Sequence, residues 1–203
     1  MNITHGNILA VFFMANAAEI QDGEDWYARA NLICRQLAAQ FDAAFETPFE
    51  PIAGVMAALS PNNRWDRNVA DTEAMLRVYD AGLDPNDVRV CTYNKNKEKA
   101  IRILNGEHPL DVLSGRKVRA FYGCIIGNND VCIDGHAFAI WSGQRIPTTK
   151  TPKISDKLYD AISQDYRVAT EQINAITGKQ YLPCQVQAIT WVVWRNHING
   201  GNQ

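Results

Sequence analysis

Apolar residues in this chain recur every three to four positions, and that spacing leaves it little choice of fold. Trp26, Ala30, Ile33, Leu37 and Phe41 line one side of a helix that begins near Asp25. Trp65, Val69, Thr72, Met75, Leu76 and Tyr79 do the same over 65–79, and Leu158, Ile162, Tyr166, Ala169 and Ile173 over 155–176. Ile52 to Leu59 is short and nearly all apolar, which predicts a buried helix, closed by the turn cluster Ser60-Pro61-Asn62-Asn63. Further helices are predicted over 93–104, for one turn at 109–113, and from Pro183 to 198. No segment shows a clear period of two. The expected class is all-α, with about eight to ten helices, an extended loop over 143–154 and a frayed tail from Gly200.

A chain of 203 residues can bury one sizeable core, or two small lobes sharing one. The formal net charge of −2 excludes a surface coated in positive charge. Nucleic acid, if bound, must meet a local basic patch, with salt-sensitive affinity. Five cysteines, at 34, 91, 124, 132 and 184, form no CxxC pair and no zinc or iron–sulfur spacing, which fits buried thiols in a reducing compartment. The histidines at 5, 108, 136 and 197 are scattered, with no HExxH, and no GxGxxG or phosphate loop is present. The apolar run Ile8–Ala18 is broken by Asn16 and lacks a basic flank, so it makes a poor signal peptide. No run reaches the length of a membrane span. These features predict a cytoplasmic, monomeric protein with no membrane, metal or cofactor.

The stretch Leu113–Trp141 concentrates the chemistry. It opens on the turn Ser114-Gly115 and the basic pair Arg116-Lys117, continues as an apolar helix to Ile126, breaks at Gly127-Asn128-Asn129-Asp130, and delivers Asp134 and His136 after Val131-Cys132-Ile133. Lysine and carboxylate thus stand one at the start of a helix and one just before the next.

Three segments, in order, resemble the helix–hairpin–helix DNA glycosylase superfamily. They are Ala57-Ala58-Leu59-Ser60-Pro61-Asn62-Asn63-Arg64-Trp65; Leu113-Ser114-Gly115-Arg116-Lys117-Val118-Arg119-Ala120, similar to the hairpin and second helix; and Val131-Cys132-Ile133-Asp134-Gly135-His136, similar to the element carrying the catalytic aspartate. Lys99-Ala100 also falls where the family has Lys-Ala. The resemblance covers roughly residues 52–141. The hairpin lacks the family's second glycine and is two residues shorter, and the four-cysteine cluster of one branch is absent. The resemblance implies a central lobe over about 52–133, a second lobe from about 1–51 plus 134–203, and a cleft between them with Asp134 at its mouth, the whole forming one compact helical unit.

Each candidate residue has a plainer role beside the catalytic one. Asp134 would stabilise the oxocarbenium-like sugar formed as an N-glycosidic bond breaks; an aspartate before a helix is also an ordinary N-cap. Lys117 sits where strand-cleaving glycosylases carry a nucleophile, which would have to lose its proton through burial or the neighbouring Arg116; otherwise it is a solvated lysine beside Gly115. Asn62 and Asn63 suit the space left by an extruded base, or simply a turn. Arg64 and Arg67 could reach phosphates. His136 could touch sugar or phosphate, or be structural. Trp26, Trp65, Trp141, Trp191 and Trp194 offer stacking surfaces or core. Lys95, Lys97, Lys99 and Arg102 form the most basic patch.

The expected function is hydrolytic release of a damaged or modified base from double-stranded DNA by base flipping, as in an enzyme of bacterial or phage DNA repair, with a lyase step through Lys117 as an option. The alternatives are an N-glycosidase acting on a nucleoside, nucleotide or RNA base, and a non-catalytic DNA-binding module on the same scaffold.

Overall fold

The computed structural model describes residues 4–41 and 49–198. The expected tail from Gly200 lies outside them. The described residues hold eleven α-helices and no strand: α1 (Thr4–Phe12), α2 (Ala17–Glu24), α3 (Trp26–Gln40), α4 (Glu50–Leu59), α5 (Trp65–Asp80), α6 (Asn94–Leu104), α7 (Pro109–Val112), α8 (Arg116–Ile126), α9 (Gly135–Ser142), α10 (Asp156–Thr177) and α11 (Pro183–Val193). The protein is all-α. No described helix is long and apolar enough to cross a membrane.

The apolar start is two helices rather than one broken run. Asn16 divides them: its side chain accepts the Glu19 N–H at 3.0 Å, while its own N–H donates to the Glu19 carboxylate at 3.1 Å. This reciprocal cap satisfies two amides that a helix start leaves open. At the other end, the last helix widens into one π turn over Trp194–Ile198.

Backbone contacts divide the chain into two compact units, Met1–Ala28 with Asn128–Gln203, and Arg29–Gly127. These bounds differ from the expected lobes: residues 29–51 count with the central unit, and 128–133 with the other.

In the 29–127 unit, α4 is the centre. Every residue from Ile52 to Leu59 is buried, and α5, α6, α7 and α8 pack around it. Its small residues permit close approach: a Cβ on Gly54 would lie 2.8 Å from the Pro109 ring. Side-chain amides, one buried and one half-buried, hold the neighbours. Asn68 Nδ2 donates to Met56 O at 3.1 Å, and Asn31 Nδ2 donates to Ile125 O at 2.7 Å, near the end of α8. Gly127, at φ 92°, then stops that helix. Cys34 is an apolar filler whose thiol burial pushes up to about 12. Cys124, Cys132 and Cys184 are buried too, but Cys91 is exposed, against the expectation of buried thiols.

In the other unit, α1 packs on α9, α10 and α11, and α2 packs on α11. The last contact is backbone against backbone: a Cβ on Gly23 would fall 2.4 Å from Ile189 Cα, so only glycine fits. Glu19, buried on α2, accepts from Asn196 Nδ2 at 3.0 Å and pairs with His197 Nε2 at 2.7 Å, tying the π turn to α2. Burial pushes its carboxyl up, but the hydrogen bonds from Asn196, Asn16 and His197, with the charge on His197, outweigh that and hold it below the ordinary glutamate range.

Candidate functional site

Asp134 stands at the N-cap of α9. Its Oδ1 accepts the Ala137 N–H at 2.8 Å, and the carboxylate is half-buried at the positive end of the helix. The capping role is therefore real and uses one oxygen. The backbone ahead of it is fixed by a buried phenol. Tyr159 on α10 donates its hydroxyl to Val131 O at 2.8 Å and accepts the Ile133 N–H at 3.1 Å. The segment Val131–Ile133 is buried but belongs to no helix, and this hydroxyl supplies two of the bonds that regular structure would otherwise give. A second tie joins α9 to α10, where Trp141 Nε1 donates to Asp165 at 2.7 Å.

The Asp134 charge reaches into the core of its unit. Burial pushes the Tyr166 phenol well above its ordinary range; the Thr190 hydroxyl opposes this, and the Asp134 carboxylate adds to it. Gly135 beside Asp134 is covered by Thr148 and Thr151: a Cβ there would meet the Thr151 hydroxyl at 2.7 Å. The loop expected over 143–154 thus lies against the start of α9, and it contains one 3-10 turn, Thr148–Lys150.

His136, in the first turn of α9, meets the ring of Trp191 edge-on at 6.1 Å between centroids, and Trp191 meets Trp26 at 6.3 Å. Arg195 lies over Trp191 at 4.5 Å. All three rings are half-buried, so they keep partly accessible faces in the unit that carries Asp134. Trp194, by contrast, is core.

The other candidates belong to the 29–127 unit. Asn62 is at φ 57°, the left-handed region, at the tip of the turn after α4; its side chain is exposed and donates to the Tyr93 hydroxyl at 3.1 Å. Asn63 is committed elsewhere. Its Nδ2 donates to Leu59 O at 3.3 Å and to Asp71 at 3.0 Å. Buried Asp71 also accepts from Arg67 Nε at 2.7 Å and from the Cys91 N–H at 2.7 Å. Asn63 and Arg67 therefore hold a carboxylate that ties the turn, α5 and the 84–93 connection together. Arg64, at the N-cap position of α5, is exposed.

Residues 113–115, which the sequence likened to a hairpin, form the short connection between α7 and α8. Pro109 starts α7, and Gly115 at φ 83°, ψ 132° redirects the chain into α8. No side chain caps α8. Arg119 holds the turn from behind, with Nε donating to Leu113 O at 3.0 Å and a second nitrogen donating to Leu110 O. Arg116 and Lys117 occupy the first turn of α8, both exposed. The burial a nucleophilic Lys117 would call on is not there.

Sequence reasoning missed Tyr159, Asp71, Arg119 and Tyr93. The spacing of each from its partners follows no local rule, except Arg67–Asp71, which are four apart on one helix. Among the described residues, no group of three or more His, Cys, Asp or Glu could hold a metal ion. No curated protein and no solved structure matches the chain. A family model does match, over residues 2–198, and the chain belongs to that family of unknown function, DUF7178.

Proposed function

We propose that this chain is a DNA glycosylase of the helix–hairpin–helix type, which hydrolyses the N-glycosidic bond of a damaged or modified base. The placement of Asp134 carries the reading. A half-buried carboxylate at a helix N-terminus, on a backbone locked by Tyr159, is a fixed negative charge that needs no reorganisation as positive charge develops on a sugar. The C1′–N bond breaks with its electron pair leaving on the base. Asp134 stabilises the resulting oxocarbenium-like sugar, and water adds at C1′ and loses a proton, giving the free base and an abasic site. The glycine-led hairpin before α8 supports a DNA substrate, since an uncapped helix start favours phosphate. His136, two residues after Asp134, begins a row of flat surfaces that continues through Trp191 to Trp26.

The exposure of Lys117 favours simple hydrolysis over a lyase step through a covalent amine intermediate. The test is mass spectrometry of bases released from normal and heavily modified DNA by the wild type and by Asp134→Asn. A base released by the wild type alone is the expected result. A fully active Asp134→Asn protein, or no release from any DNA by folded wild type, overturns the reading.

A further inference from the structure

The basic patch of α6 is not one patch. Helix phase sets Lys97 opposite Lys95, Lys99 and Arg102, and the partners each cation meets separate the rest. Lys97 donates to the Asn86 carbonyl, and Arg102 forms a two-bond pair with Glu107, with Nε at 2.8 Å from Oε1. Lys95 and Lys99, one turn apart, instead line a pocket of about 230 Å³ that lies wholly within the 29–127 unit. Lys99 reaches across it to donate to the Ser114 hydroxyl in the hairpin. Lys95 stands over the Tyr93 ring at 5.8 Å. Asn96 completes the polar wall, its amide held by Thr92 at 2.9 Å, and Ala58, Pro61 and Val118 give an apolar floor. No carboxylate lines the pocket.

Two ammonium groups converging on one concave space without an acid between them repel each other, and an anion relieves that repulsion. The hydroxyls of Ser114 and Tyr93 can donate to the same ligand. Ser114 also lies just before the uncapped start of α8, whose dipole has the sign that favours negative charge. Size narrows the ligand. Pockets that enclose a whole small molecule run to roughly 300–1,000 Å³, so this one suits a single phosphate group with its sugar and base outside. Its walls settle the context: Tyr93 holds Asn62 at the tip of the first turn, Thr92 donates to Pro61 O at 3.0 Å, and Ser114 belongs to the hairpin.

We propose that this pocket binds one phosphate of a nucleic-acid strand, through Lys95 and Lys99 with Ser114, and so holds the strand between the Asn62 turn and the hairpin. The choice of a strand rests on the glycosylase reading; the choice of a phosphate does not.

The experiment compares wild type, a paired Lys95→Gln/Lys99→Gln variant and a control Lys97→Gln/Arg102→Gln variant. Binding to a labelled DNA duplex is followed by fluorescence anisotropy across a salt series. The expected result is about a tenfold loss of affinity for the 95/99 pair, with a salt slope shallower by about one, and affinity within about twofold of wild type for the control pair. Equal losses in both variants, or none in the 95/99 pair, overturn the proposal. A second arm titrates inorganic phosphate and deoxyadenosine monophosphate into labelled protein, followed by NMR at Tyr93 and Ser114. Should wild type fail to bind the duplex, shifts at these residues that the 95/99 variant lacks keep the phosphate pocket and move its source to a free nucleotide; absence of shifts overturns it. Duplex binding through the pocket without base release at Asp134 leaves the pocket standing and removes the glycosylase reading instead.

Discussion

The Tyr159 hydroxyl accepts the backbone N–H of Ile133 at 3.1 Å, one residue before Asp134. It also donates to Val131 O, so two buried backbone groups depend on one side-chain oxygen. In Tyr159→Phe both lose their partner, at about 1–3 kcal/mol each. Thermal unfolding is expected to show a total loss of about 2–6 kcal/mol, read as a drop in Tm of roughly 2–4 °C per kcal/mol. Base release is expected to fall further than the unfolded fraction explains, because Asp134 loses its fixed position. A variant with wild-type Tm would mean that the 131–133 segment is held by something else.

Two substitutions at Asp134 separate its roles. Asparagine caps a helix about as well as aspartate, so Asp134→Asn is expected to keep stability within a few tenths of a kcal/mol. Its base release should drop by about a hundredfold or more, the scale set by a lost preorganised electrostatic group. Asp134→Ala also loses the bond to Ala137 and should cost about 1 kcal/mol more. Equal activity in wild type and Asp134→Asn would leave capping as the whole function of this residue.

Gly115 adopts φ 83° with ψ 132°, and a Cβ there would meet nothing within 4 Å. The cost of Gly115→Ala is therefore conformational strain, about 1–3 kcal/mol, without steric clash. Chemical denaturation of the variant should show that loss with an unchanged m-value. A neutral result would mean that the hairpin takes a different backbone path.

Glu19 gives the fold an acid-sensitive tie. Its carboxyl lies below the ordinary glutamate range in the folded state, so the folded protein binds its proton less readily than the unfolded chain does. The resulting stability is fully present above the unfolded glutamate pKa and is lost as pH falls through the folded value. Urea unfolding followed by pH should therefore show wild type more stable than Glu19→Gln near neutrality, with the gap closing below about pH 4. A gap that stays constant down to pH 3 would contradict the assignment.

Periodicity made the helices legible, because each buries a continuous apolar stripe. Ile52–Leu59 and the 155–176 pattern both correspond to observed helices, α4 and α10. The division at Asn16 was also written in the sequence, as Asn followed three residues later by Glu, but the surrounding apolar run hides it. The candidate site around Asp134 was legible only as far as Asp134 itself. Tyr159 lies 26 residues beyond Ile133, and no local rule connects them. Likewise, the lysines of α6 look equivalent in order along the chain. Only the partners on other segments, Asn86, Glu107 and Ser114, separate those already engaged from those facing the pocket. Asn63 resembles a free turn residue until Asp71, which also accepts the Cys91 N–H, is brought to it.

The backbone contact of Gly23 with Ile189 has a consequence for the order of events on the ribosome. Residues 29–127 find all the partners of their own unit within one uninterrupted stretch, which can assemble as soon as it is synthesised. The first 28 residues must wait, with their apolar faces unmatched, until the far end of the chain emerges. A glycine that admits α11 to within atomic contact of α2 thus helps to close a loop that spans the whole 29–127 unit.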